Sequence, residues 1–205
     1  MIQTRCRCDN AIEFDLPDHF DLDHDEQSKA ALLDGSFLSV ACPQCGAPVR
    51  PEIAVRVDWA SKGLKAQVLP ELERLSAYRG KADAPKGVEL LIGYPELFER
   101  IRMLRDGLDP LAVELLKYFV YEKAQDSEPD ADISVHYNGL LDESLAFHIL
   151  GLKSDEAAVL KLPKDSYKRA LGGLKESLGK EPFKELFQGS YRSINKLAFL
   201  QSQED

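Results

Sequence analysis

The chain has 205 residues, of which 44% are hydrophobic, and a formal net charge of −9. This composition supplies enough apolar side chains for one or two folded domains, and the negative charge argues against non-specific attraction to nucleic acid. The sequence has no apolar run long enough to cross a bilayer and no apolar h-region near its start, so we expect a cytoplasmic protein with no membrane partner.

The four cysteines of the chain form two closely spaced pairs, Cys6-x-Cys8 and Cys42-Pro-Gln-Cys45. The second pair is followed by Gly46, which allows the tight left-handed turn of a zinc knuckle. The first pair has one residue fewer between its sulfurs and needs a sharper turn. In a reducing compartment such pairs are more often metal ligands than disulfides. The spacing therefore predicts one structural Zn²⁺ site made by all four thiols, and the alternative is a set of buried free cysteines.

An acidic segment, FDLDHDEQ, lies between the two pairs and has aspartates at alternate positions, as the start of a calcium loop does. An EF-hand would need glycine where Glu26 stands and a bidentate carboxylate where Leu32 stands. The segment instead predicts a helix that Asp23 or Asp25 caps and that ends at Gly35.

Short strands are predicted around this helix, because the flanking segments mix apolar and polar residues and are bounded by Pro, Gly or Asp. These segments are AIEFDL, SFLSVAC, VRPEIAVRVDW and LKAQVLP. Together they predict an N-terminal zinc-ribbon-like β domain, with an inserted helix, over residues 1–70. Residues 71–86 contain Gly80, Pro85 and small polar side chains, and are predicted to be a linker.

Residues 87–205 predict a mixed helical domain with a short antiparallel β meander. GVELLIG predicts a strand, and a helix with Pro95 in its first turn follows and ends at Gly107. Asp109 then caps a second helix with Pro110 at its first position. DISVHYN, SLAFHIL and AVLKLP predict the meander, and KDSYKRALGGLKESL predicts a further helix. The fold class of the whole chain is therefore predicted to be α+β.

The order of these motifs resembles the CpXC domain, a bacterial domain without an assigned biochemical function. The likeness over residues 3–70 depends on Cys6-x-Cys8, DLDHDEQSKAALLDGSF, CPQCG and RVDWASKG. The later stretches ELFERIRMLRDGLDPLAVELLKYFV, PKDSY and SYRSINKLAF are similar to the region that accompanies this domain. VRVDW stands where a tyrosine-histidine-aspartate motif is expected, so Asp58 is retained without the histidine. The resemblance implies a zinc ribbon and implies little about activity.

The sequence favours a protein that is not an enzyme. Four thiolates would fill the coordination of a zinc ion, whereas a catalytic zinc keeps a position open for water. His19 and His24 lie in the acidic segment and are predicted to be ordinary surface histidines. His136 would share a strand face with Ser134, so a solvent-facing role is expected for it as well.

Three functions remain open at this level. The first is a protein-interaction or adaptor module with a structural zinc site and an unknown protein partner. The second is a redox-sensing zinc-thiolate switch, because paired cysteines can be oxidised to disulfides with release of the metal. The third is a nucleic-acid-binding zinc ribbon, against which the net negative charge of positions 1–70, with 7 basic and 11 acidic residues, argues.

Overall fold

A computed structural model describes residues 2–153 and 156–201 of the chain. The elements are a mixture of helices and small sheets, which confirms the predicted α+β class. The chain forms two compact units, Met1–Phe98 and Glu99–Asp205. That boundary differs from the predicted linker at residues 71–86, and the independence of domains 1–70 and 87–205 stays a prediction. Among the described residues, no helix has the length and apolar character that spanning a membrane would require.

The first unit contains two small hairpins, a mixed sheet and short helices. Its elements in chain order are β1 (Ile2–Arg5), β2 (Ala11–Phe14), β3 (His19–Asp21), α1 (Glu26–Asp34), β4 (Val40–Ala41), β5 (Pro48–Val49), β6 (Val55–Trp59), β7 (Leu64–Leu69), α2 (Arg74–Tyr78), β8 (Glu89–Ile92) and α3 (Gly93–Arg105), which continues into the second unit. Short 3₁₀ helices cover Ala60–Lys62 and Glu71–Glu73.

The mixed sheet of the first unit has the strand order β3-β6-β7-β8. The central pair, β6 and β7, is antiparallel, whereas β3 pairs with β6, and β8 with β7, in the parallel direction. Alternate residues of β6 are buried, as a strand with one face on a core requires. Phe20 of β3 is buried and meets the ring of Phe37 edge-on, with ring centroids 4.8 Å apart.

Helix α1 begins and ends as its sequence predicts. The side chain of Asp25 accepts a hydrogen bond from the backbone N–H of Ser28 at 2.9 Å, so Asp25 is the cap. Gly35 ends the helix with φ 82°, a conformation that costs glycine little.

The predicted linker contains helical structure bound to its own unit. Arg74, at the start of α2, donates hydrogen bonds to the buried carboxylate of Glu96 at 2.9 Å and to the carbonyl of Ile92 at 3.1 Å. Glu96 also accepts from the backbone N–H of Ile92 at 2.9 Å. These charge-assisted bonds hold α2 against the start of α3.

The second unit contains the predicted meander with helices. Its elements are α4 (Pro110–Ser127), β9 (Ser134–Leu141), β10 (Ser144–Lys153), β11 (Glu156–Pro163), α5 (Lys164–Ser177), α6 (Phe183–Leu186) and α7 (Leu197–Gln201), with a 3₁₀ helix at Ile194–Lys196. The sheet order is β11-β10-β9, and both pairs are antiparallel, which confirms the meander. Asp109 accepts hydrogen bonds from the N–H groups of Leu111 and Ala112, so the predicted cap of α4 is also confirmed.

The core of this unit contains an ion triad that the sequence did not predict. Lys117 of α4 has no exposed surface, and its Nζ lies 3.0 Å from Glu99 Oε2 and 2.9 Å from Glu114 Oε1. Burial would lower the pKa of Lys117, but the two carboxylates hold it above its ordinary value. Glu99 also accepts from the N–H of Tyr137, and Glu114 from that of Ile194. The triad thereby joins α3, α4, β9 and the 3₁₀ helix.

Candidate metal centre

The four cysteines lie in the turns of the two small hairpins. The turn between β1 and β2 carries Cys6 and Cys8, and the turn between β4 and β5 carries Cys42 and Cys45. Strand pairing continues into each turn, because the N–H of Cys6 donates to the carbonyl of Asn10 at 2.9 Å and that of Cys42 to the carbonyl of Ala47 at 2.8 Å. Each turn is therefore a closed loop with its first cysteine fixed at the end of a strand.

Both turns contain one residue with a left-handed backbone. Gly46 has φ 71°, as the sequence predicts for a zinc knuckle. In the shorter turn the equivalent conformation falls on Asp9, with φ 64°. Aspartate is one of the residues that tolerate this region, because its short polar side chain can bond locally. The sharper turn that Cys6-x-Cys8 needs is thus made by Asp9, the residue directly after the pair.

The turns bring the four sulfurs together. All four Sγ atoms lie within 4.8 Å of one another. Two of the contacts join the two turns, with Cys6 Sγ 3.5 Å from Cys45 Sγ and Cys8 Sγ 3.7 Å from Cys42 Sγ. Four thiolates around a tetrahedral zinc ion at about 2.3 Å would stand about 3.8 Å apart. The observed donor set therefore fits a single zinc-sized ion.

Backbone N–H groups point at the sulfurs and shape their acidity. Burial acts to raise the pKa of Cys42, but bonds from the N–H groups of Cys45 and Gln44, with the thiols of Cys6 and Cys8, lower it to about 6. The N–H of Asn10 lowers the pKa of Cys8, and burial with the three neighbouring thiols outweighs that effect and raises it to about 12. Without a cation, the cluster therefore favours a thiolate at Cys42 and disfavours ionisation of Cys8.

Asn10 is a functional candidate that the sequence interpretation missed. Its side-chain Nδ2 lies 3.7 Å from Cys42 Sγ, so it donates across from one turn to the sulfur of the other. A donor to a thiolate stabilises negative charge on the sulfur and fixes its orientation. In the sequence, Asn10 is only a polar residue two positions after Cys8, and such residues are too common to indicate a hydrogen bond to a sulfur.

The sulfur cluster has one open side. Cys6 and Cys42 are buried, Cys8 is intermediate and Cys45 is exposed. The buried pair packs with a small apolar cluster formed by Ile12, Phe14 and Ala47. The sulfurs therefore form part of the core of the hairpin pair and also reach its surface.

The aspartates between the cysteine pairs serve local structure. Asp21 accepts from the N–H of Asp23 and lies 2.9 Å from Nδ1 of His24. Asp23 accepts from the N–H and hydroxyl of Ser61, and Asp25 caps α1. These bonds give each of the three alternating aspartates a local structural role.

The histidines predicted to be surface residues have polar partners. His19 Nε2 lies 2.8 Å from Asp58 Oδ2, and this pair is exposed to solvent. The contact follows from the parallel pairing of β3 with β6, which the sequence did not predict. His136 lies 3.2 Å from the hydroxyl of Ser134, on the face that the two-residue period predicts. The cross-strand neighbour of His136 is His148.

Comparison with known proteins agrees with the motif order. The family model described as CpXC protein matches residues 4–117, which is more than half of the chain. A relative from Treponema pallidum (strain Nichols), named "Uncharacterized protein", is 28% identical over 219 aligned residues, covering 96% of this chain and 98% of the relative. The search of solved structures found no match. The family model includes the cysteine turns, the mixed sheet and the start of α4, and this chain belongs to the CpXC family.

Proposed function

We propose that this protein is a non-catalytic, cytoplasmic zinc-binding module. In this proposal Zn²⁺ bound by Cys6, Cys8, Cys42 and Cys45 joins the two hairpins into a zinc ribbon, and the folded ribbon serves in binding a protein partner. The observation that carries the proposal is the convergence of all four thiols, from turns 34–39 residues apart in sequence, within 4.8 Å.

The proposed role of the zinc is structural. Four thiolate ligands complete a tetrahedral site, so no coordination position is left for a reactive water. The hairpins also bury few apolar side chains of their own, and a region with so small a core needs another source of stability. Thiolate ligands favour Zn²⁺ over Mg²⁺ and Ca²⁺, because soft sulfur suits zinc better than it suits those hard cations.

The charge of the cysteine-containing segment favours a protein over a nucleic acid as the partner. Residues 1–70 have 7 basic and 11 acidic residues, whereas phosphate binding requires clustered cations. Arg7, between two ligands and exposed, would offset the negative charge of a zinc ion with four thiolates. A nucleic-acid-binding ribbon is therefore the weaker alternative.

Metal analysis of purified protein tests the zinc proposal. We expect one zinc per chain in the wild type and in Gln44→Ser, which changes an exposed neighbour and leaves every sulfur in place. Cys45→Ser is the matched variant that removes a ligand, and we expect it to lose zinc. Zinc retained in Cys45→Ser at wild-type affinity, or no zinc in the wild type, would contradict the four-cysteine site.

A redox switch is a second candidate, favoured by the exposure of Cys45. Each disulfide would form as two thiols give two electrons to one hydrogen peroxide, producing two waters, and zinc would leave as its ligands are consumed. Mild peroxide treatment separates the candidates. A structural site keeps its zinc and its free-thiol count, and a switch releases zinc as two disulfides per chain appear.

Binding to a protein partner needs its own test. The wild type, Gln44→Ser and Cys45→Ser would be used in parallel to capture cross-linked proteins from native cells. A partner recovered with the wild type and Gln44→Ser, and lost with Cys45→Ser, would support a role for the ribbon in binding. Equal recovery with all three would place the partner surface outside the ribbon.

A further inference from the structure

One face of α5 is open to solvent and has an unusual composition. With about 100° of rotation per residue, Asp165, Arg169, Gly172, Gly173 and Glu176 lie within about 50° of one line along the helix. Four of them are exposed, and Gly173 is half-buried. The opposite side of α5 packs against the core of its unit through apolar residues such as Tyr167 and Leu174.

In the described part of the structure, neither a close contact nor a left-handed backbone requires glycine at these two positions. Glycine is among the poorest helix formers, so a pair of them in the middle of α5 weakens the helix. Their backbone angles are ordinary, and a Cβ added at either would meet nothing within 4 Å in the described part of the structure. Because glycine has no side chain, the two residues leave a shallow depression on the helix surface, where the backbone of another helix can approach closely.

The charges on this face are arranged antisymmetrically about the glycines. Arg169 lies one turn before them and Glu176 one turn after. Arg169 contacts the hydroxyl of Ser166 at 3.3 Å, and Glu176 pairs with Lys180 in an exposed ion pair. Exposed pairs of this kind contribute little, so both charged groups can take new partners.

An antiparallel copy of the same helix would complement this face. With Gly172 of one copy opposite Gly173 of the other, Arg169 of each copy stands opposite Glu176 of the other. One two-fold axis relates the two ion pairs to each other, as in an isologous interface. The charge pattern therefore identifies a second copy of this chain as the occupant.

An apolar groove lies beside this face and would enlarge the contact. It has a volume of about 340 Å³ and lies between α4 and α5, with Leu115 and Leu116 among its lining residues. Phe119, which also lines it, is 53% exposed although it is a large aromatic residue. Apolar surface of this kind, beside a complementary polar face, is typical of an interface between subunits.

We propose that the protein forms a symmetric homodimer in which the α5 helices of two copies cross in antiparallel orientation at Gly172 and Gly173. This proposal is independent of the zinc site. A contact centred on a single helix of 14 residues is small, so the dimer is weak and depends on protein concentration. It also weakens as salt rises, because its specificity comes from ion pairs.

Sedimentation equilibrium of the full zinc-loaded chain, from about 10 µM to about 1 mM, tests this proposal. We expect the wild type to shift from monomer to dimer in this range. Arg169→Glu and Glu176→Arg each place like charges opposite one another and should raise the dissociation constant at least tenfold. The double variant Arg169→Glu with Glu176→Arg exchanges the two charges and should restore the wild-type constant.

Two further variants separate the interface from the fold. Lys175→Glu changes an equally exposed charge beside the face and should leave dimerisation within about twofold of wild type. Gly172→Leu should abolish the dimer while circular dichroism shows that α5 is retained. A wild type that is monomeric throughout, single reversals that dimerise normally, or a double reversal that stays monomeric would each overturn the proposal.

Discussion

The hairpin pair and the second unit handle buried polar groups in different ways. The second unit has its own cation in its core, because Lys117 pairs with Glu99 and Glu114 at hydrogen-bonding distance. The hairpins bring four thiols together, and in the described part of the chain the side chains that hydrogen-bond the sulfurs are the other cysteines and Asn10. Thiolates that are close together repel one another, so ionisation of all four thiols would require a cation from outside the chain.

The two regions also differ in how much apolar surface they bury. The cluster of the second unit includes side chains from three strands and several helices. The hairpin cluster has Cys6, Ile12, Phe14, Cys42 and Ala47 as its buried members, so two of its five are the sulfur-bearing residues themselves. Packing therefore stabilises the second unit, whereas the stability of the hairpins would depend on the proposed zinc site.

The largest effect is expected for Cys6→Ser. Loss of one ligand removes much of a binding free energy that is on the order of 10 kcal/mol for structural zinc in small domains. We expect the hairpins to become sensitive to protease while the second unit keeps its thermal transition. Mass spectrometry of the fragments locates the cleavage sites. Cleavage spread equally over the meander would show that the two regions are not stabilised separately.

Lys117→Met should destabilise the second unit by about 3–5 kcal/mol, because it leaves two buried carboxylates without their cation. Urea unfolding measures the change, and Lys175→Met, at an exposed position, is the control. Adding Glu99→Gln and Glu114→Gln to Lys117→Met should recover part of the loss, since the charges are then removed together. A loss below about 1 kcal/mol for Lys117→Met would contradict the role given to the triad.

Asp109→Ala should lower the free energy of unfolding by about 0.5–2 kcal/mol, because the N–H groups of Leu111 and Ala112 lose their acceptor. Lys123→Ala, an exposed substitution within the same helix, should have a smaller effect. Both are measured by urea unfolding. Equal effects would mean that the cap contributes no more than an ordinary surface residue.

The smallest effect concerns His24 in the first unit. Its hydrogen bond with Asp21 raises the pKa of His24 above the ordinary value of 6.5. The stability from this pair is therefore complete below pH 6.5 and is lost as the pH rises through the pKa of the folded state. NMR titration should show a lower His24 pKa in Asp21→Asn than in the wild type. An unchanged value would remove Asp21 as the cause.

Local features of the fold could be predicted from the sequence because short-range chemistry determines them. Capping preferences alone predicted Asp109 at the start of α4, Gly35 at the end of α1, and Asp23 or Asp25 at its start, of which the structure selects Asp25. The meander followed from apolar periodicity and its bounding turns. The convergence of the cysteines followed from the spacing of the pairs, since two ligand turns need each other to complete one site.

Features that depend on distant partners could not be predicted in this way. The parallel pairing of β3 with β6 is not encoded in either strand, and it brings His19 to Asp58. Lys117 lies in a helix where a lysine ordinarily faces solvent, and only the positions of Glu99 and Glu114 explain its burial. The donor role of Asn10 likewise depends on how the second turn approaches the first.

In the proposed function, a bound metal, and not packing, holds the hairpins of this CpXC protein together. Hydrogen–deuterium exchange of the zinc-loaded protein, with and without a strong chelator, tests it directly. We expect the chelator to abolish the protection of amides in β1, β2, β4 and β5, while amides of β9 and β10 keep theirs. Full protection of the hairpins after the metal has been removed, as verified by mass spectrometry, would contradict the claim.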